Sequence, residues 1–184
     1  MNLDKFLKTF PPDYFVKPIR DKLPSSLPVP LLGLFEKIGA GKYRKGIIEI
    51  VDSEEYRPTL ETWLGRKAPN YFPLALSAFG DLYYYRKLTD TDEDVCVLSP
   101  HYRSINTCVW SLNSFLNEYL TDDEVIKSKL REDLFMKSVN KLGALDVGEI
   151  FYFEPALILG GAEELQFVSK GKAKVHLDIL FQIG

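Results

Sequence analysis

The stretch Leu142–Leu165, LGALDVGEIFYFEPALILGGAEEL, constrains the fold more than any other part of the chain. Its pattern predicts the end of a helix, then a turn, and then an apolar strand over Glu149–Leu159. The Gly160-Gly161 pair ends that strand. Glycines permit tight turns and close backbone approach, so the stretch is typical of a packing motif. It therefore predicts architecture, and it contains no pattern typical of an active site.

The composition is that of an ordinary globular protein. The chain has 184 residues, of which 46% are hydrophobic and 27% are charged. A chain of this length forms one domain, or two small lobes, and buries roughly 70% of its unfolded surface. The formal net charge is -3, whereas nucleic-acid binders usually carry a basic surface that neutralises phosphates. The charge therefore argues against direct binding of nucleic acid.

Cysteine usage and hydropathy indicate the cellular compartment. Cys96 and Cys108 are too few for a disulfide-rich secreted scaffold. The N-terminal sequence MNLDKFLKTFPPDYF interrupts its apolar residues with charges, so it predicts neither a signal peptide nor an anchor. No apolar run reaches the roughly 18 residues that a membrane span requires. We expect a protein of the reducing cytoplasm with no membrane partner.

Residues 1–27 are predicted to form a proline-rich arm that packs onto the body of the protein. Proline fixes φ and removes a backbone donor, so only short helical turns such as Leu3–Phe10 are expected here. The arm is nevertheless too apolar for a free tail, because it contains Phe6, Tyr14 and Phe15. Its prolines are Pro11, Pro12, Pro18 and Pro24.

Residues 28–110 show the periodicities of helices and of an antiparallel meander. We interpret Pro73–Phe79 as an apolar link and Thr89–Asp94 as an acidic turn. If the next hairpin turn is centred on Tyr102, two strands pair around it. The predicted helices are Pro30–Ile38 and a helix from Asp52 to Gly65, and the predicted strands are Gly46–Val51, Asp81–Leu88, Val95–Ser99 and Ser104–Trp110.

Residues 111–184 are predicted to be mainly helical, with two strands. The closing segment Val175–Ile183 is ambiguous, and we favour a helix there. The predicted helices are Leu112–Leu120, one that is capped by Thr121 or Asp122 and ends at Leu130, and Glu132–Leu142. The predicted strands are Glu149–Leu159 and Leu165–Ser169. Together the elements predict an α+β fold, a mostly antiparallel sheet flanked by helices, with two lobes meeting near residue 110 as one option.

Few residues offer chemistry. A zinc site of Cys96, His101 and Cys108 can be drawn, but its spacing matches no standard pattern and a fourth ligand is missing. Two core cysteines facing each other across a hairpin are the simpler interpretation. His176 is a candidate base, although the sequence marks no partner for it. We therefore predict no metal, no cofactor and no catalytic residue.

Two further patterns have non-structural interpretations. Tyr83, Tyr84, Tyr85 and Arg86 resemble a stacking platform for single-stranded nucleic acid, but alternate residues of a strand face opposite sides, and half of these rings are expected in the core. Acidic residues between Asp90 and Asp94 are most often solvated loop residues. Their alternative use is to meet a basic partner, where complementary charge speeds association.

Several of these segments resemble the GAD-like proteins, in which a GAD-like region precedes the C-terminal domain of immunity proteins against type VI secretion DNase toxins. The likeness covers most of the chain from about residue 28, with the GAD-like region over 28–110 and the immunity-type domain over 111–184. The segments that carry it are FEKIGAGKYRKGIIEIVDSEEY (Phe35–Tyr56), AFGDLYYY (Ala78–Tyr85), VLSP (Val97–Pro100) and KLGALDVGEIFYFEPALILGG (Lys141–Gly161).

The resemblance implies a non-enzymatic cytoplasmic protein that binds and neutralises a co-encoded toxin. It carries over no catalytic residues, and the matching glycines and Pro155 are expected to determine the fold. A DNase holds its anionic substrate on a basic surface, so exposed carboxylates of an inhibitor would complement that surface. The candidate contacts are Asp90, Asp92, Glu93 and Asp94.

Two alternatives remain open. One is a regulatory or scaffold domain that binds a peptide or small ligand between lobes, which a cleft lined by tyrosines would favour. The other is a small hydrolase or transferase with its site around His101 or His176, which requires a nucleophile or metal beside the histidine.

Overall fold

The computed structural model describes residues 2–13 and 27–184, and its centre is a six-stranded antiparallel sheet. The strands follow each other in chain order from one edge of the sheet to the other. They are β1 (Gly41–Tyr43), β2 (Ile48–Ile50), β3 (Tyr71–Ser77), β4 (Leu82–Lys87), β5 (Glu93–Ser99) and β6 (Ser104–Val109). The predicted antiparallel meander is confirmed.

Helices and a second hairpin surround this sheet. The hairpin consists of β7 (Glu149–Phe153) and β8 (Val168–Lys172). The helices are α1 (Asp4–Thr9), α2 (Val29–Phe35), α3 (Ser53–Leu64), α4 (Leu112–Ser114), α5 (Glu132–Leu142) and α6 (Ala173–Gln182), with π-helical turns at Phe115–Tyr119 and Val125–Lys129. The α+β class and the closing helix are therefore as predicted from the sequence.

The central strands β3 and β4 are buried on both faces. Tyr83 and Tyr85 point into the larger apolar cluster, whereas Leu82 and Tyr84 point into a smaller cluster under α3 and α6. This alternation follows from the two-residue period of a strand. All three tyrosines are almost completely buried, so the interpretation of Tyr83–Arg86 as a stacking platform is wrong.

The two predicted regions share one core. The centroid of the Phe79 ring lies 5.8 Å from the ring centroid of Phe151 and 5.6 Å from that of Phe153. Tyr83 packs in the same way on Phe115, with ring centroids 5.2 Å apart. Because aromatic rings bury large apolar areas, these contacts bind the regions before and after residue 110 into one body rather than two separate lobes.

The described part of the N-terminal arm packs onto the sheet and covers its first edge. Phe6 and Phe10 are completely buried. Pro12 forms a bridge with Tyr43 of β1, and the Asp13 amide donates to the Lys42 carbonyl at 2.9 Å. Residues 14–26, which include Tyr14, Phe15, Pro18 and Pro24, lie outside the described residues.

Two sequence predictions on the sheet need correction. The predicted link Pro73–Phe79 is largely the central strand β3, in which Pro73 sits beside a bulge that tolerates a missing amide donor. Cys96 pairs with Thr107 rather than Cys108, because a register shift next to Val95 moves the partner by one residue. A bulge or register shift of this kind does not alter the alternation of apolar and polar residues, so the sequence does not reveal it.

The C-terminal strands are shorter than predicted. The strand predicted over Glu149–Leu159 ends at Phe153, and a 3-10 turn occupies Leu157–Leu159. Pro155 has no amide to donate, so the ladder cannot continue past it. The strand predicted at Leu165–Ser169 begins only at Val168, after another 3-10 turn.

Arg131 connects the sheet to the C-terminal region. Its Nη1 donates to Asp81 Oδ2 at 2.9 Å, and its Nε donates to Glu163 Oε1 at 2.8 Å. The guanidinium also lies over the rings of Phe79 and Tyr102. The side chains of Arg131 and Asp81 are 9% and 7% exposed. A charge buried this far must be paired, so these carboxylates hold α5 and the loop before β8 against the β3–β4 turn.

Removing the arginine should destabilise the protein strongly. Arg131→Met leaves the Asp81 carboxylate buried without its counter-ion, and we expect a loss of about 3–5 kcal/mol in the free energy of unfolding. The measurement is urea denaturation followed by circular dichroism. The double variant Arg131→Met/Asp81→Asn should lose less than the sum of the single changes.

The matched control is Lys67→Met, which breaks an ion pair with Glu61 in which the lysine is 90% exposed. Exposed pairs contribute little, so this change should cost below about 1 kcal/mol. Equal effects of Arg131→Met and Lys67→Met would show that burial does not set the strength of the Arg131 contacts.

The glycine pair after the 3-10 turn has a steric origin. Gly160 adopts a left-handed conformation with φ of 88°, and a Cβ at Gly161 would overlap the carbonyl oxygen of Pro155. We expect Gly161→Ala to destabilise the fold by about 1–3 kcal/mol, because backbone must move to admit the methyl group. Gly33→Ala is the control: Gly33 lies within α2, and apart from its chain neighbours and the backbone of its own helix no atom lies within 4 Å of the added carbon.

Thermal unfolding of the two variants gives the comparison. Alanine in a helix stabilises relative to glycine by about 0.5–1 kcal/mol, so Gly33→Ala should unfold at a higher temperature than the parent chain. A Gly161→Ala variant as stable as the parent chain would contradict the steric argument.

Candidate functional site

The acidic loop, Thr89–Asp92, joins β4 to β5 and is held by its own hydrogen bonds. The Thr89 hydroxyl oxygen accepts from the amides of Asp92, at 2.9 Å, and Thr91, at 3.2 Å. The Thr89 amide donates back to the Asp92 carbonyl at 3.1 Å. Threonine and aspartate side chains form such local bonds readily, so the loop presents a defined surface.

Two carboxylates of this loop face solvent. Asp90 is 97% exposed and accepts from the Lys87 ammonium at 2.8 Å. That hydrogen bond lowers the pKa of Asp90, which keeps it ionised. The Asp92 carboxylate is also exposed and accepts from the Thr89 hydroxyl at 2.7 Å. Both carboxylates are therefore accessible from solvent.

The other two predicted contact residues lie in β5 and have internal partners. Glu93 accepts from the Tyr85 hydroxyl at 2.8 Å and from the Leu112 amide at 2.9 Å. Asp94 is completely buried, and Arg86 donates to both of its carboxylate oxygens. The structure thus places Asp94 inside the fold, where it has no surface to offer to a partner.

His101 is a core residue. Its Nε2 lies 2.9 Å from the Phe79 carbonyl oxygen, and its ring packs edge-on against Phe153. Burial lowers its pKa; the negative charge of Asp81 opposes that shift, and the positive charge of Arg131 adds to it. The imidazole is therefore neutral, with Nε2 donating to the carbonyl, and its Nδ1 has no partner among the described residues.

His176 stacks on Tyr152, with ring centroids 3.6 Å apart. It lies against Gly171, where any larger side chain would meet the imidazole. Burial lowers its pKa, and Glu154 partly opposes that shift. Within residues 2–13 and 27–184, no serine, cysteine or threonine is hydrogen-bonded to either histidine. The geometry required for the hydrolase alternative is thus not formed in this part of the chain.

Cys96, His101 and Cys108 do not form a metal site. In the described part of the chain, no group of three or more histidine, cysteine or acidic side chains is arranged to hold a metal ion. Cys96 is buried and contacts the Thr107 hydroxyl at 3.5 Å. Burial raises the pKa of Cys108 to about 12, so its thiol is protonated at neutral pH.

A groove of about 560 Å³ lies where the sheet meets the C-terminal region. Its floor is formed by β4, β5 and β6, and its walls come from the π-helical turns and from the loop before β8. The polar end is formed by Asp81, Arg131 and Glu163. The remaining lining residues include Tyr83, Val97, Tyr102, Ser104, Asn106, Cys108, Tyr119 and Lys129.

The groove offers hydrogen bonds rather than an ionisable base. Burial is the main cause that raises the pKa values of Tyr83, Tyr119 and Cys108. The phenol and thiol groups therefore stay protonated at neutral pH. At one end, the carboxylates of Asp81 and Glu163 are both paired with Arg131. Such a lining suits a neutral polar or aromatic group of a bound molecule.

The sequence does not predict this groove, since its lining residues lie in segments far apart in the chain. The one local signal is that β6, SINTCV, contains no charged residue and no proline. A cleft lined by tyrosines at the meeting of the two regions is the feature expected for a domain that binds a peptide or small ligand.

Two protein-family models match this chain, one in each half. Residues 2–98 match the family model of the GAD-like domain, and residues 111–184 match that of the T6SS immunity protein Tdi1, C-terminal domain. No curated protein matches. In the described part of the chain, no helix is both long and apolar enough to cross a bilayer.

A solved structure shows the same fold. The crystal structure of Atu4351 from Agrobacterium tumefaciens superposes with a TM-score of 0.70 at 16% identity, covering 100% of this chain and 90% of that one. The C-terminal match indicates an immunity protein of type VI secretion. The GAD-like model spans more than half of the chain, and the chain therefore belongs to the GAD-like family, with a C-terminal domain of the Tdi1 type.

Proposed function

We propose that this protein is a non-enzymatic immunity protein that binds a co-encoded type VI secretion toxin in the cytoplasm and neutralises it. The observation that carries the proposal is the match of residues 111–184 to the Tdi1 C-terminal family. The shared core supports it, because a rigid body presents a preformed surface and pays little ordering cost on binding. The neutral, stacked and carbonyl-bonded histidines fit a binding protein better than a catalyst.

We further propose that the toxin is a DNase. A nuclease holds phosphates on lysine and arginine side chains, and carboxylates presented by an inhibitor pair with those cations. The exposed Asp90 and Asp92 supply such charges on a loop that is already ordered. Glu93 stays at the rim of this surface, while Asp94 is excluded from it by burial.

A second candidate is a regulatory domain that binds a peptide or small ligand, and the tyrosine-lined groove favours it. This candidate predicts a different effect on the toxin from the immunity role. A regulator of this kind would leave a toxin encoded beside it active. A test of whether this protein protects cells against that toxin therefore distinguishes the two functions.

The direct test uses the toxin encoded beside this protein. Expressed alone in a bacterial host, the toxin should stop growth and degrade plasmid DNA. Co-expression of this protein should restore growth, and an equimolar amount of purified protein should keep plasmid DNA intact in vitro. Continued DNA degradation with excess protein would reject neutralisation. A toxin that leaves DNA intact but is still neutralised would reject only the DNase assignment.

Charge reversal tests the acidic loop. Asp90→Lys/Asp92→Lys should slow association with the toxin by about tenfold at low salt, since long-range attraction mainly sets the association rate. The difference should shrink as added salt screens the charges. Stopped-flow or surface plasmon resonance measures it.

The control is Asp122→Lys/Asp123→Lys, which reverses two exposed acids before the second π-helical turn. Asp122 also accepts from the amides of Glu124 and Val125, so circular dichroism must confirm the fold of this variant. Equal slowing by both pairs would indicate only an effect of net charge, and would remove the acidic loop from the proposed interface.

A further inference from the structure

The two edges of the central sheet differ. At the β1 edge, the N-terminal arm supplies a bridge between Pro12 and Tyr43 and two backbone hydrogen bonds. The other edge is β6, which pairs with β5 on one side only. Within the described chain, no backbone group of Ile105, Asn106 or Thr107 is bonded outside the ladder with β5. One edge is therefore covered and the other presents free donors and acceptors.

The β6 edge also lacks the residues that usually protect an edge strand against pairing. Exposed edge strands normally carry lysine, proline or an inward charge that prevents another strand from adding. β6 carries none of these, and its central residues Ile105, Asn106 and Thr107 are exposed. Trp110, directly after the strand, is 72% exposed. Tryptophan is enriched among the residues that dominate binding energy at protein interfaces.

The groove lies beside this edge. Its lining from β6 consists of Ser104, Asn106, Thr107 and Cys108, and Val97 and Ser99 continue it from β5. A strand added next to β6 would place alternate side chains on the groove side of the sheet. Backbone pairing and a side-chain pocket would then act together, as in other cases where a peptide extends a sheet.

The size of the groove indicates which occupant fits. In an antiparallel pairing of two copies of β6, the same face of each strand lies on the same side of the sheet. A second copy would therefore offer only Ser104, Asn106 and Cys108 to the groove side. These small side chains are poorly matched to a volume of about 560 Å³, whereas a segment with large polar or aromatic side chains fills it.

We propose that an extended segment of the toxin pairs with β6 as a seventh strand and inserts a side chain into the groove. This inference rests on the proposed function, because it names the contact by which the immunity protein holds its toxin. The acidic loop acts on the approach of the two proteins, while the edge contact determines how long the complex lasts.

The experiment uses the intact protein and the catalytically inactive toxin. Amide hydrogen exchange should slow by about tenfold or more in the complex at those residues of Ile105–Thr107 whose N–H faces away from β5. Alternate residues of an edge strand face outward, and their amides become hydrogen-bonded to the added strand. Ile105→Lys places a protective charge on the edge, and Asn106→Trp fills the groove. Each should raise the dissociation rate by about tenfold or more and leave the association rate nearly unchanged.

Matched controls are Val147→Lys, an exposed apolar residue in the turn before β7, and Asn70→Trp, an exposed asparagine in the turn before β3. Both should bind like the parent chain, and thermal unfolding checks that all four variants fold. Unchanged exchange and unchanged dissociation in a complex that still forms would overturn the edge contact alone.

Two other outcomes are equally informative. If the parent chain neither binds nor neutralises the toxin, the proposed function fails and the edge contact fails with it. If the free protein is a dimer that Ile105→Lys converts to a monomer, the edge is occupied by a second copy, which also overturns the inference. Light scattering during size-exclusion chromatography distinguishes this case.

Discussion

The buried guanidinium of Arg131 is the interaction on which the arrangement of this protein depends. A cation removed from water is costly unless its charge and its N–H groups are satisfied. Here one carboxylate comes from Asp81, before β4, and the other from Glu163, before β8. The Tyr102 hydroxyl donates to the same Glu163 oxygen at 2.5 Å. Three distant segments therefore meet at one side chain, and none of them can move independently.

A second buried ion pair ties the C-terminal hairpin to the first strands of the sheet. The Lys42 ammonium donates to Glu49 at 2.8 Å and to the Glu149 carbonyl at 3.2 Å. Glu49 accepts in turn from the Gly148 amide at 3.1 Å. The β7–β8 hairpin is thus tied to the first two strands as well as to the β3–β4 turn. With apolar contacts between Phe79 and Phe151, these polar ties fix the shape of the groove before any partner arrives.

Periodicity alone predicted the helices and most strands, because each buries one face and so repeats at a regular interval. It failed where the determinant is distant in sequence. Asp90 and Asp94 belong to one acidic run, yet Arg86 lies opposite Asp94 across the β4–β5 ladder, and this pairing brings Asp94 into the interior. The groove was missed for the same reason, since Asp81, Asn106, Tyr119 and Glu163 share no local pattern.

The difference between the two sheet edges has a physical consequence for function. An open edge without charge or proline is a hazard for a protein, because any extended chain can add to it. Bulges normally limit this hazard, and the register shift next to Val95 bends the β5–β6 pair. The groove walls restrict it further, since a chain that pairs with β6 must also fit beside Arg131 and Tyr119. Backbone pairing alone does not distinguish one sequence from another. The groove walls therefore provide the selectivity of the β6 edge for a partner.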